Sequence, residues 1–452
     1  MEIAGFLAQR PTVVYWVIDE SVSMVPQRKA IAKRLDKICN QLNNQQLRSV
    51  VVSFGQRVTV VTHSPTTNLT TVINAIEQIP VDDSGVEVPF SAIKQVVALA
   101  TGVQPKGNAI IVLFTDEVGN DDSLSERTTE DCRKARIPVY VVGVPAPFGR
   151  DELIVACDPR DQQDVALGVV NRGAESRFPE AVHLANDTPV DSGFGPFLLS
   201  KICADTGGAY FRANTANGDV SEDENARKEY GLNKFFSPET MKPYRPSYGS
   251  REASERELAL NRAKSTLVET SRLAIASPIA SLQMVFSGED DRVRNELLGE
   301  AQKQCARNHA KIDGLSARLH AGLPDRAKVQ EKRWQAGYDL ALGRVLAMKV
   351  RADTYNMMLA WAKSGMQFKD KNSNTWELVP SDKTLLVGKT AEIARQAKAL
   401  LEKVVAEHPG TPWAYYASEE LKTPFGYEWN ERHSVEAPKE TPSPPKRQPR
   451  RI

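Results

Sequence analysis

The chain predicts an α/β fold, a doubly wound and mostly parallel sheet, followed by an all-α helical bundle domain. Three observations carry this. Apolar runs of strand length alternate with amphipathic stretches through the first part of the chain, the pattern of a sheet covered by helices on both faces. Two of those runs end in carboxylates and hydroxyls, as in open parallel sheets whose ligands gather outside the carboxyl ends of the strands. Beyond residue 250 the apolar residues fall three and four apart over long stretches, which is helical spacing.

In chain order, strands are expected at 13–18, 49–54, 58–62, 109–114 and 138–143, and helices near 24–43, 68–78, 90–101 and 126–136. Gly55-Gln56-Arg57 between two valine-rich runs predicts a hairpin that gives the sheet one antiparallel edge. From Pro145 to Gly195 the periodicity breaks into Pro, Gly and Asp before a last helix, Pro196 to Asp205. A connection of that length is usually functional, so this insertion is a second candidate for a binding surface, with a flap that has no partner as the plain alternative. Residues 214–250 read as a linker, acidic at first and proline-rich from Pro238 to Tyr248.

Helical patterns follow at Arg251–Ala276, Asp291–Leu319 and Arg326–Lys363, with Pro324 fitting the start of the third. Trp334, Tyr338, Leu342, Val345, Leu346 and Leu359 form its apolar face and read as core. Ala391 to Trp429 resembles one tetratricopeptide-like helix, its turn and the start of the next helix. Such repeats need neighbours to bury a continuous core, so a single unit reads as local packing. The tail from Pro438 to Ile452 is proline-rich, basic and poor in apolar residues, a composition that predicts disorder. The expected division is therefore 1–213 for the sheet domain, 214–250 for the linker, 251–430 for the helical domain and 431–452 for the tail.

At 452 residues with 41% hydrophobic content, two domains with proper cores are expected. A net charge of +1 gives no reason to expect a nucleic-acid partner. Cys39, Cys132, Cys157, Cys203 and Cys305 are odd in number, widely spaced and without a paired motif, so they read as small buried hydrophobes. No apolar stretch is long enough to cross a bilayer. As it stands the chain reads as cytoplasmic. Phe6-Leu7 so close to the first strand point to a trimmed start, and a lost upstream anchor would place the protein, and its one expected membrane contact, at the cell envelope.

The first strand runs directly into Asp19-Glu20-Ser21-Val22-Ser23, and the run 109–114 into Thr115-Asp116-Glu117. Alternate residues of an extended loop point the same way, so Asp19, Ser21 and Ser23 can face one ion, and Asp116 can join them at the same end of a parallel sheet. Oxygen ligands of this kind favour Mg²⁺, with Mn²⁺ or Ca²⁺ as alternatives. The plainer reading is that Ser21 or Ser23 caps the helix beginning near Met24 and Asp116 starts a turn.

These residues resemble the von Willebrand factor A domain and its metal-ion-dependent adhesion site. The resemblance spans roughly residues 10 to 213 and includes Asp19-x-Ser21-x-Ser23, Thr115-Asp116, Ser53-Phe54-Gly55, the run Ile137–Gly143 and the closing Thr206–Phe211. It implies that Ser21 and Ser23 bind the ion directly and that Asp19 and Asp116 act directly or through water. The family's middle threonine does not carry over: aligning Gly85–Ile93 on that segment puts Glu87 in its position. With two carboxylates a divalent cation leaves the site near neutral, and a partner's acidic side chain can complete it, whereas a third carboxylate makes it net negative. Glu87 is thus a candidate ligand. Glu117 stands where relatives usually have glycine.

The Ser192-Gly193-Phe194-Gly195-Pro196 stretch resembles bacterial von Willebrand A proteins with a helical carboxy-terminal domain. That likeness names a family and gives it no job; the resemblance of the Asp19–Ser23 and Asp116 site to the von Willebrand A domain implies metal-dependent protein–protein interaction with an unidentified protein partner. Two alternatives are a partner subunit of a separate chelatase-type ATPase and a scaffold whose metal only stabilises the fold.

Enzyme signatures fail residue by residue, so no catalysis and no small-molecule substrate are expected. Gly388-Lys389-Thr390 would need a glycine where Lys383 stands, and Gly102–Gly107 is followed by Asn108-Ala109 rather than Lys-Ser or Lys-Thr. No histidine pair has the spacing of a helical zinc site. Ser21 has no identifiable base.

Overall fold

Side chains alternate faces along a strand, and β1 (Thr12–Asp19) is buried on both. Val13, Tyr15 and Val17 enter a core with residues of α4 (Pro89–Gly102), α5 (Ser125–Ala135) and α6 (Phe197–Thr206), among them Phe90, Cys132 and Leu199. Val14, Trp16 and Ile18 enter the opposite core with α1 (Glu2–Leu7), α2 (Val25–Leu42) and α3 (Leu69–Glu77), through Leu7, Ile31 and Ile76. The protein is a computed structural model in which residues 2–42, 46–103, 107–156, 167–184, 186–213, 231–287, 290–384, 386–433 and 450–451 are described.

The six-stranded sheet places Val58–Val60 (β3) at one edge, then Leu47–Phe54 (β2), β1, Asn108–Thr115 (β4), Val139–Gly143 (β5) and Tyr210–Arg212 (β8). All pairs are parallel except β2 with β3, the antiparallel edge that the Gly55-Gln56-Arg57 turn predicts. Every expected strand and helix of the sheet domain forms, with ends shifted by a residue or two. The added elements are α1, the edge strand β8 and a hairpin inside the insertion, Glu152–Ala156 (β6) against Leu167–Asn171 (β7), which the strand Arg450–Arg451 extends in parallel. The stretch 157–166 lies outside the described residues, as do 214–230 of the expected linker and 434–449 of the expected disordered tail.

Between α6 and β8 the chain passes hard against β5. A Cβ on Gly208 would lie 1.9 Å from the Val139 carbonyl oxygen, and backbone on both sides leaves nothing to swing away. Gly208→Ala is expected to cost about 3 kcal/mol or more by overpacking, read as a fall in melting temperature of the full chain.

The chain divides into two compact units, one of residues 1–177, 189–238 and 449–452, the other of 178–188 and 239–448. This cuts the chain differently from the expected boundaries in two places. Residues 178–188 of the insertion belong to the second unit, where Val182 sits in the helical core. The stretch 231–238 of the expected linker belongs to the first, where Leu232 and Phe235 pack with Val144, Leu153 and Val170, and 239–250 to the second.

The second unit is mainly helical. The expected helix 251–276 is two, Arg251–Leu260 and Arg262–Ala276, because Asn261 is extended and its side chain accepts from the Lys264 N–H to cap the second. The next helix runs Asp291–Arg326, so Pro324 lies in its last turn and not at the start of the following Lys332–Lys363. A proline there forfeits one hydrogen bond two residues before the helix ends, which limits its disruption. The stretch 391–429 holds most of the helix Gly388–Glu407 and all of the helix Pro412–Leu421. The unit also holds an antiparallel three-stranded sheet, Val285–Ser287 (β9), Thr375–Ser381 (β10) and Gly426–Arg432 (β11), which buries Phe286, Trp376 and Tyr427 in the helical core. Sequence patterning misses it because β9 is only three residues long and β10 carries Pro380.

Candidate metal centre

β1 and β4 run side by side with Ile18 opposite Phe114, so Asp19 and Thr115-Asp116 emerge at the same end of the sheet. Asp19 is fully buried. Its carboxylate accepts hydrogen bonds from the Ser21 N–H and the Thr115 hydroxyl, each at 2.8 Å. Arg28 of α2 braces the loop from below: Nε donates to the Asp19 carbonyl at 3.2 Å, Nη2 to Ser21 O at 3.3 Å, and Nη1 to Ile79 O and Pro80 O at 2.9 Å. One planar guanidinium thereby holds two loops in register.

The Ser21 and Ser23 hydroxyls lie 3.1 Å apart. Ser21 precedes a short 3-10 turn, Val22–Met24, and makes no side-chain capping bond to it. Helix capping therefore does not account for the Ser21 hydroxyl, whereas the Ser21 backbone contact to Asp19 ties its loop to the acidic cluster.

Glu87 arrives from the loop before α4. Its N–H donates to Asn120 Oδ1 and its carbonyl accepts from the Asn120 N–H, both at 2.7 Å. The Asp121 carboxylate accepts from the Phe90 and Ser91 N–H groups at 3.2 and 2.6 Å, capping α4. Gly119, at φ +86°, lets the same loop close on Pro89, whose Cδ would stand 2.3 Å from a Cβ there. The loop after β4 is thus stapled to the start of α4, which brings Glu87 beside Asp116.

Asp19, Glu87 and Asp116 each offer an oxygen, and these three atoms lie within 4.8 Å of one another. Glu87 Oε2 and Asp116 Oδ1 are buried without a hydrogen-bond partner, a costly arrangement for carboxylate oxygens unless a cation meets them. The electrostatics agree. Burial, and then Asp116, raise Asp19 to about 6. Burial, followed by Asp19, Glu117 and Asp116, pushes Glu87 to about 10, and burial with Asp116 lifts Glu117 to about 7. Oxygen donors crowded to this degree fit a hard divalent cation.

The structure therefore brings together Asp19, Glu87 and Asp116 and links Ser21 to them through Asp19, with Ser23 beside Ser21. The sequence reading missed Arg172 at the end of the insertion hairpin. Its Nη1 lies 3.2 Å from Asp116 Oδ2 and also donates to the Asp116 carbonyl. Nothing in the local string Asn171-Arg172-Gly173 signals that pairing, which arises from where the hairpin folds.

The fold and site define an open, mostly parallel α/β domain with an acidic cluster at the carboxyl ends of its two central strands. Residues 14–167 match the family described as von Willebrand factor type A domain, and this part of the chain is such a domain. Domains of this family generally serve as protein-interaction modules. Among solved structures, the chain is similar to the conserved hypothetical protein BatB from Bacteroides thetaiotaomicron, at 17% identity over 48% of this chain and 96% of that one, with a TM-score of 0.31. An aerotolerance-related membrane protein from Bacteroides fragilis carrying multiple mutations to serine aligns at 16% identity over 49% and 100%, with a TM-score of 0.29. The SpRpn10 VWA domain aligns at 15% over 29% and 75%, with a TM-score of 0.26. No curated protein matches the chain. No described helix is long and apolar enough to cross a membrane.

Within the second unit, a cavity of about 470 Å³ is lined by His183, Asp187, Arg344, Arg351 and Glu420 on its polar side and by Ile279 and Met348 among its apolar residues. Its arginines are already paired with its own carboxylates, so its charges serve the packing of the unit.

Proposed function

We propose that the chain is a protein-interaction module whose sheet domain binds one divalent cation, Mg²⁺ first, through Asp19, Ser21, Ser23, Glu87 and Asp116, and that the ion controls the engagement of a protein partner. The observation that carries this is the convergence of three carboxylates, two with buried oxygens lacking hydrogen-bond donors. Glu87 gives the site a character of its own. Burial, followed by its acidic neighbours Asp19, Glu117 and Asp116, pushes its carboxyl up to about 10, so a cation that takes Glu87 as a ligand draws its proton off.

The test is isothermal titration of chelator-treated full-length protein with Mg²⁺, Mn²⁺ and Ca²⁺ at pH 8, in buffers of different ionisation enthalpy. Wild type is expected to bind one ion and release about one proton. Glu87→Thr is expected to bind more weakly, release no such proton and leave the ion open to an external carboxylate. Saturable binding with no proton release in wild type would remove Glu87 from the ligand set.

A second reading, a scaffold that needs no ion to engage its partner, is favoured by the Arg172 guanidinium already lying on Asp116. It predicts that chelation leaves partner binding unchanged.

A further inference from the structure

The insertion hairpin presents Arg172 to the acidic cluster on a built support. The Arg172 and Gly173 N–H groups both donate to the Asp151 carbonyl, at 2.9 and 3.0 Å, and the Asp151 carboxylate accepts from the Ala174 N–H at 3.0 Å. Gly173 adopts a positive φ of +64° and packs on Val118, which follows the Asp116-Glu117 pair. Arg172 is 5% exposed, so its charge lies in a low-dielectric setting where a carboxylate contact is strong. It meets Asp116 through both the carboxylate and the carbonyl, while Asp116 Oδ1 has no hydrogen-bond partner. A guanidinium and a divalent cation at one carboxylate repel each other, and each neutralises the charge that draws the other.

We propose that Arg172 is a tethered cation that competes with the divalent ion for Asp116, so that ion loading loosens the segment Leu167–Arg177 from the site. This rests on the metal-binding reading above and goes beyond it: the insertion becomes the part of the domain whose packing reports whether the ion is bound. Arg172 acts through Asp116 and is not itself a ligand.

The experiment titrates Mg²⁺ and Mn²⁺ into chelator-treated full-length wild type, Arg172→Gln and Arg172→Lys, and follows amide hydrogen exchange of wild-type peptides covering 167–177 with and without ion. Arg172→Gln is expected to bind about tenfold more tightly, the scale of one charge-assisted contact. Arg172→Lys keeps the charge and is expected to stay near wild type. In wild type, exchange over 167–177 is expected to rise on ion binding. Equal or weaker binding by Arg172→Gln, or ion-independent exchange in a wild type that does bind, would overturn the competition while leaving the metal site standing. The exchange measurement needs no variant, so poor folding of Arg172→Gln leaves the test intact. No binding by wild type or either variant would overturn both this inference and the metal-binding reading.

Discussion

Asp19→Asn is expected to lose divalent-cation affinity by about 100-fold or more, as removal of a charged ligand does, and at the same time to raise the melting temperature measured in chelator. The two effects have one cause. Asp19 is fully buried, and burial with the nearby Asp116 holds its folded value at about 6 against an ordinary 3.8. A raised folded value means the folded state disfavours the charge: the penalty is absent below pH about 4, grows as pH rises through 4 to 6 and is complete at pH 7. Asparagine carries no charge and can still accept the Ser21 N–H with its carbonyl oxygen. In chelator, wild-type stability should therefore fall with rising pH, through about 7 for Glu117 and on toward 10 for Glu87, and saturating cation should reverse that trend.

Asp116→Asn should lose the ion equally but gain no stability. Asp116 is the carboxylate that meets Arg172, and neutralising it leaves a buried guanidinium with a weakened partner. Thermal melts of both variants in chelator, paired with calorimetric titration, separate the cases. An Asp19→Asn protein that binds cation as wild type does would remove this residue from the site, and one that melts lower in chelator would show that its charge is already compensated.

How much of this was legible beforehand follows from which forces are local. Strands such as 13–18 and 109–114 announce themselves because both faces are buried and the run is continuously apolar. Asp19 and Asp116 could be paired from sequence because parallel neighbours bring their carboxyl ends together whatever else the chain does. Asn120, Asp121 and Arg28 support the site through loop hydrogen bonds that have no periodicity to betray them. Arg172 was invisible for a stronger reason: its partner is set by the docking of a hairpin whose strands are five residues each, embedded in a stretch rich in Pro and Asp. The helical unit shows the same division. Its long amphipathic faces were plain, but the breaks at Asn261 and after Arg326 depend on single capping and proline positions, and β9 to β11 gain their place from packing.

Arg344→Met is expected to destabilise the second unit by about 3–5 kcal/mol, the cost of breaking a buried ion pair from one side. Arg344 is 3% exposed in the middle of the helix Lys332–Lys363. Its guanidinium donates to Asp187, to Glu420 at 3.1 Å and to the Val182 carbonyl at 3.0 Å, so it pins residues of 178–188 to two helices of the same unit. Glu420 keeps Arg351 when Arg344 is lost; Asp187 keeps the Leu184 N–H at 2.9 Å and His183, whose Nδ1 lies 3.5 Å away, but no guanidinium. Burial would raise Asp187, but hydrogen bonds from His183 and Arg344 hold it well below the usual carboxylate range. That depressed value contributes stability which is full above pH about 4 and is lost as pH falls below it. In Arg344→Met this dependence should weaken, because Asp187 loses its guanidinium while keeping His183 and the Leu184 N–H. Pairing the change with Asp187→Asn removes the stranded charge and should recover a large part of the loss, since replacing both partners of a buried pair is often near neutral. Chemical denaturation of the single and double variants at pH 5 and 7 decides it: a double variant no more stable than Arg344→Met would mean that the arginine acts through its contact with Val182 and the ring of Tyr416, and not through the carboxylates.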